Sequence, residues 1–136
     1  MKVLDKEEIS YLLYKKCKNL KDKGILDEEK HWRLITNSCW AYYYCKDVKN
    51  REEMWKKITD SQWAYLYCEE VKDREEVWKK IVDSRWAYRY CKDIKDREEV
   101  WKKISESLDA YWYCLYIKDR EEVRKYIVES KRAKRY

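Results

Sequence analysis

Trp86-Ala87-Tyr88-Arg89-Tyr90-Cys91-Lys92-Asp93-Ile94-Lys95-Asp96-Arg97-Glu98-Glu99-Val100-Trp101-Lys102-Lys103-Ile104 is a sentence that the chain repeats. Its opening recurs as Trp40-Ala41-Tyr42 and Trp63-Ala64-Tyr65, so that Trp40, Trp63 and Trp86 stand 23 residues apart. A fixed period of this size marks a repeat architecture. A straight helix turns about 100° per residue, so one repeat leaves roughly 140° beyond whole turns. An unbroken helix would swing its apolar stripe around the axis at every repeat. The period is not a multiple of seven either, which excludes a heptad coiled coil. Each unit must therefore break.

Two break signals recur. Asp73-x-x-Glu76, Asp96-x-x-Glu99 and Asp119-x-x-Glu122, with Asn50-x-x-Glu53 as a variant, have the pattern of a capping box. Asp60-Ser61, Asp83-Ser84 and Glu106-Ser107, with Asn37-Ser38 at the front, read as the turn into the next helix. Each unit is then expected to hold two helices of about ten residues, too short to persist without stacking on neighbours. The expected fold class is all-α: a solenoid of tandem two-helix repeats, about five helix pairs with the degenerate first one.

Ala87, Tyr90, Cys91 and Ile94 fall at i, i+3, i+4 and i+7 and form a core stripe, and Val100 and Ile104 do the same in the second helix. Opposite them, Glu75 with Lys79 and Glu76 with Lys80 are expected to pair at i, i+4 on a solvated face. Arg74 and Trp78 share that spacing, which suggests a cation–π contact within the unit. The columns Trp40/Trp63/Trp86 and Trp55/Trp78/Trp101 are expected to be buried between units.

The whole chain reads as a single α-helical repeat domain of 136 residues. Residues 1–36 form a degenerate first repeat, 37–59, 60–82, 83–105 and 106–128 are regular, and 129–136 is a basic tail. Asp5-x-x-Glu8 opens the first helix, on which Ile9, Leu12, Leu13, Cys17 and Leu20 keep one face. Gly24, the only glycine, suits a left-handed cap. Leu13-Tyr14-x-x-Cys17 matches Ala41-Tyr42-x-x-Cys45 at an offset of 28, the surplus of five falling in the Gly24 loop. At the other end Asp109, Arg124 and Arg132 replace tryptophans, as a polar C-terminal cap requires.

Composition narrows the function classes. With no proline, no phenylalanine and one glycine, strands and phosphate-cradling loops have almost nothing to be built from. Charged residues make up 44%, but the charges are mixed and periodic, and 8 Trp and 14 Tyr supply core material. A net charge of +6, from 33 basic and 27 acidic residues, is compatible with nucleic acid without arguing for it. The charged start is unlike a signal peptide, and no apolar run is long enough for a membrane helix. The expectation is a soluble, cytoplasmic protein in a reducing compartment.

Six cysteines invite a metal or disulfide. Cys45, Cys68, Cys91 and Cys114, however, occupy one slot in successive units. Helices pack about 8–10 Å apart, too far for a disulfide or one zinc ion. They read as buried thiols, and Cys39 as a more exposed one. His31, in the slot of Met54 and Val77, reads as a structural core residue. No constellation for catalysis emerges, so no enzyme, metal or cofactor is expected.

The Trp-Ala-Tyr-x-Tyr-Cys core resembles short tandem helical repeats of phage, other viral and bacterial proteins, which typically read Asp-x-x-Trp-Ala-Tyr-x-Tyr-Ala before a second amphipathic helix. The match spans about 37–128; the chain differs in lacking proline near the turn and in placing Cys where that class often has Ala. The resemblance implies an α-repeat module and no particular reaction.

Slots that vary between units are not needed for stacking. They are Cys39/Gln62/Arg85/Leu108, Tyr43/Leu66/Arg89/Trp112, Lys46/Glu69/Lys92/Leu115 and Asp47/Glu70/Asp93/Tyr116. Their spacing of i, i+4, i+7 and i+8 is one helical stripe. Such a stripe is either a binding surface or a set of tolerant exposed positions. The function expected is a non-enzymatic scaffold for protein–protein interaction or self-assembly, with Leu108, Trp112, Leu115, Tyr116, Tyr43, Leu66, Arg85 and Arg89 as contact residues. The alternative is weak, non-specific nucleic-acid binding through Arg85, Arg89, Lys92 and the basic tail. The quartet Leu108, Trp112, Leu115 and Tyr116 is either an interface or is covered by residues 129–136.

Overall fold

The structure, a computed structural model, describes residues 3–127. All regular secondary structure among the described residues is helical, with no strand. A long first helix, α1 (Lys6–Asp22), is followed by a 3-10 turn (His31–Leu34). Four ten-residue helices then alternate with single helical turns: α2 (Ser38–Asp47), α3 (Glu52–Trp55), α4 (Ser61–Glu70), α5 (Glu75–Trp78), α6 (Ser84–Asp93), α7 (Glu98–Trp101), α8 (Ser107–Tyr116) and α9 (Glu121–Arg124). Each long helix packs on the next one and on its own short turn. This is a helical repeat array, as the period requires.

The second helix of each unit is one turn of four residues, not the expected two or three turns. Its end is set by burial. Ile104 is fully buried only three residues after Trp101, and its N–H already bonds Trp101 O at i−3, so the α-helix closes at once. Asn37, Asp60 and Asp83 then cap the long helices, their side chains accepting from backbone N–H groups two or three residues on. Ser61 and Ser84 do more than turn the chain. Ser84 Oγ accepts from the N–H of Ser105 (3.0 Å) and Glu106 (3.1 Å), tying the start of one long helix to the approach of the next. Ser61 makes the same tie to Val82 and Asp83, and Ser38 accepts from Thr59 N–H.

The capping-box reading of Asp73 and Asp96 is overturned. The short turns start at Arg74 and Arg97, which cap without a side-chain bond. The carboxylates point instead to the next repeat. Tyr90 Oη donates to Asp73 (2.6 Å), while Arg97 donates through Nε to Tyr90 Oη (2.7 Å) and through Nη2 to Asp73 (3.0 Å). Tyr113, Asp96 and Arg120 repeat the triangle, and Asn50 takes the carboxylate's place under Tyr67. The same arginines correct the cation–π expectation. Arg74 lies over Trp55 (4.7 Å), Arg97 over Trp78 (5.1 Å) and Arg120 over Trp101 (4.9 Å), each on the tryptophan of the preceding repeat. Lys80 likewise leaves Glu76 and donates to Lys56 O, whereas Glu75–Lys79 pairs as expected.

The core is the expected one in Ala64, Ala87 and Ala110, Tyr67, Tyr90 and Tyr113, and Ile58, Ile81 and Ile104. Trp55, Trp78 and Trp101 are buried, but Trp40, Trp63 and Trp86 are only partly so, because one ring face leans on the preceding tyrosine and the other faces the stripe. On α1 the buried face is Ser10, Leu13, Tyr14 and Cys17, while Ile9 and Leu12 are exposed. His31 is not a core residue: its ring lies between Asp27 and Glu29. Gly24 has φ +69°, as a left-handed cap needs. Asp109 fills the Trp slot half-buried, and burial raises its carboxyl pKa against a hydrogen bond from Ser84. Arg124 pairs with Asp119. Arg132 and the basic segment 129–136 lie outside the described residues.

Candidate interaction surface

Stacking covers both flanks of α2, α4 and α6 and one flank of α8, and the outer positions of the variable stripe stay exposed. Gln62, Arg85, Lys46, Glu69, Lys92 and Glu70 are exposed, as are Leu108, Leu115 and Tyr116. Tyr43, Leu66, Arg89 and Trp112 sit half-buried at the centre of the stripe, where successive long helices meet. The structure therefore brings all eight expected contact residues onto one surface, in chain order along the array.

Its first quarter holds Cys39, Tyr43, Lys46 and Asp47, with Tyr43 inside an aromatic cluster. Tyr43 lies 5.2 Å from Trp40, 5.0 Å from Tyr42 and 5.8 Å from Trp63 by ring centroid. The middle is charged. Arg89 lies over Tyr65 (5.5 Å) and Trp86 (5.6 Å) and reaches Asp93 Oδ2 (3.4 Å). Tyr65 Oη stands 2.6 Å from Glu69 Oε2 and 2.5 Å from Asp93 Oδ2. One hydroxyl proton thus serves two carboxylates, and burial together with both acids pushes the Tyr65 pKa well up. The last quarter is apolar: Trp112 stacks on Tyr116 at 5.4 Å and 16°, flanked by Leu108 (51% exposed) and Leu115 (47%).

Tyr65 and its equivalents were not assigned a role from the sequence. At Tyr65 the signal is the acids Glu69 at +4 and Asp93 at +28, the latter in the next unit; Tyr88 has Lys92 and Tyr116 there. Tyr14 donates to Asp47 in the same way across the longer N-terminal loop.

The six cysteines are free thiols, and burial raises the pKa of Cys45, Cys68 and Cys91 to about 12, far from a reactive thiolate. Cys39 is less buried than these, as expected. An open depression of about 460 Å³ at the N-terminal end is lined by Lys16, Leu20, Ile25, Leu26, Asp27, Glu28, Glu29 and His31. There His31 Nδ1 is 2.6 Å from Asp27 and Nε2 is 3.1 Å from Glu29, so both ring nitrogens already face carboxylates. Among the described residues no three His, Cys, Asp or Glu side chains are placed to hold a metal ion, and no helix is long and apolar enough to cross a membrane. No family model, curated protein or solved structure matches the chain significantly.

Proposed function

We propose that the chain is a non-enzymatic helical-repeat scaffold that binds another protein or a second copy of itself through the stripe on α2, α4, α6 and α8. The observation that carries this reading is the α8 quarter, where Leu108, Leu115 and Tyr116 are all exposed beside Trp112. Tyr and Trp are the residues that dominate binding energy at interfaces, and contiguous apolar patches of a few hundred Å² mark them. Nucleic-acid binding through Arg85, Arg89 and Lys92 is less well supported, because Arg89 is held by two aromatic rings and Asp93, and Glu69 and Glu70 interrupt any phosphate track. Six cysteines held in no disulfide favour a reducing, intracellular setting.

The test is Leu108→Glu with Leu115→Glu, followed by a melt and by sedimentation of the chain alone and mixed with cell extract. An unchanged melt with complexes lost supports the reading. A clear loss of stability makes the quartet internal core and overturns it.

A further inference from the structure

We infer that the stripe is self-complementary and that the partner it fits is a second copy of this chain, related by a two-fold axis lying between α4 and α6 and parallel to them. This rests on the stripe being the binding surface and adds what it binds. The order of charge along the stripe points to it. The stripe quartet of α4 (Gln62, Leu66, Glu69, Glu70) sums to −2 and that of α6 (Arg85, Arg89, Lys92, Asp93) to +2, while the quartets of α2 and α8 are each neutral. A closed two-fold contact uses the same patch on both copies and pairs the ends of the array with each other. It sets α4 against α6 of the second copy twice over, negative on positive. It also sets the α2 quarter (Cys39, Tyr43, Lys46, Asp47), neutral overall, against the apolar α8 quarter, so that Tyr43 meets Trp112 of the second copy. Any shift of the two-fold by one repeat would set α4 on α4 or α6 on α6 of the second copy, like charge on like charge.

The Tyr65 site agrees with this. Glu69 and Asp93 crowd one hydroxyl, with Arg89 the cation beside them. In the two-fold arrangement Lys92 of the second copy arrives at Glu69, the acid that Arg89 does not reach. Four slots in four repeats give sixteen side chains per copy, fewer than the roughly 20–30 of a standard interface. The dimer is therefore small, reversible and weakened by salt, since its central pairs are only partly desolvated.

Charge reversal tests it. Gln62→Lys with Glu70→Lys makes both central quartets positive; Arg85→Glu with Lys92→Glu makes both negative. Each variant should weaken self-association by about tenfold or more in sedimentation equilibrium. An equimolar mixture of the two should recover dimers, and so should all four changes in one chain. Circular dichroism checks that each variant folds. A wild-type chain that is monomeric at submillimolar concentration overturns the inference while leaving the stripe open to an unlike partner. Dimers that survive either charge reversal, or a mixture that fails to associate, overturn it as well.

Discussion

The interior units and the first unit solve the same packing problem with different chain lengths. In residues 60–105 the contacts recur every 23 residues: Ser84 ties the next approach, Tyr90 reaches back to Asp73, and Arg97 covers Trp78. In residues 3–36 the chain is five residues longer, yet Ser10 still accepts from Thr36 and Asn37, Tyr14 still finds Asp47, and Trp32 still lies under Arg51. Only the carboxylate differs. Asp27, in the slot of Asp73, turns to His31 and Cys17 and leaves Tyr44 to Arg51 alone. The slots that stack are therefore fixed, and the loops between them are free to lengthen. Stability comes from the contacts between units, where single helical turns would otherwise melt.

Alkali tests what the two regions share. Tyr14, Tyr42, Tyr65, Tyr67, Tyr90 and Tyr113 all have raised pKa values, chiefly from burial and then, for Tyr14, Tyr65, Tyr90 and Tyr113, from hydrogen bonds to acids. The unfolded chain gives up these protons near pH 10 while the folded one keeps them. Their stabilisation is complete below about pH 10 and is lost as pH rises further. Far-UV circular dichroism should show steep, cooperative unfolding in that range, and a fold that persists well beyond it would contradict the buried tyrosine network.

Substitutions then separate the regions. Trp78→Ala, in an interior unit, should cost about 3–5 kcal/mol in urea unfolding, the range for a large buried aromatic. Trp86→Ala should cost less, about 2 kcal/mol, because Trp86 is only partly buried. Equal losses would erase the distinction between the two tryptophan columns. Asp73→Ala strands Tyr90 and Arg97 and should cost about 1–3 kcal/mol. Ser84→Ala and Ser10→Ala each remove an acceptor for two backbone N–H groups, so the two should cost the same, about 1–2 kcal/mol. A much smaller loss at Ser10 would mean that the first unit is not held as the others are.

Much of this was legible in the sequence because the period exposes it. Core slots, the Asp83-type turns and the stripe all follow from comparing units. The errors came from reading pairs locally. Asp73-x-x-Glu76 fits a capping box, but the partner of Asp73 is Tyr90, 17 residues away and in the next unit. Arg74 was set against Trp78, its neighbour in the helix, when Trp55 lies closer in space. The spacing between the two break signals suggests a second helix of about ten residues, and the burial of Ile104 ends it after one turn. His31 shares a column with Met54, yet the loop on its N-terminal side moves it out of the core. No local pattern carries that information. The charge order of the stripe is present in the sequence, and it acquires meaning once the four quartets are known to line one surface.

The fold divides slots that stack, among them Asp47 and Asp93 of the stripe, which accept from Tyr14 and Tyr65, from the outward stripe positions Gln62, Glu70, Arg85 and Lys92, which are exposed. Urea unfolding of two variants side by side tests it most directly: Asp73→Ala, and the fourfold stripe variant Gln62→Lys, Glu70→Lys, Arg85→Glu and Lys92→Glu. The single change should lose about 1–3 kcal/mol, while each stripe position should stay within about 0.5 kcal/mol of neutral. A stripe variant less stable than Asp73→Ala would contradict the division.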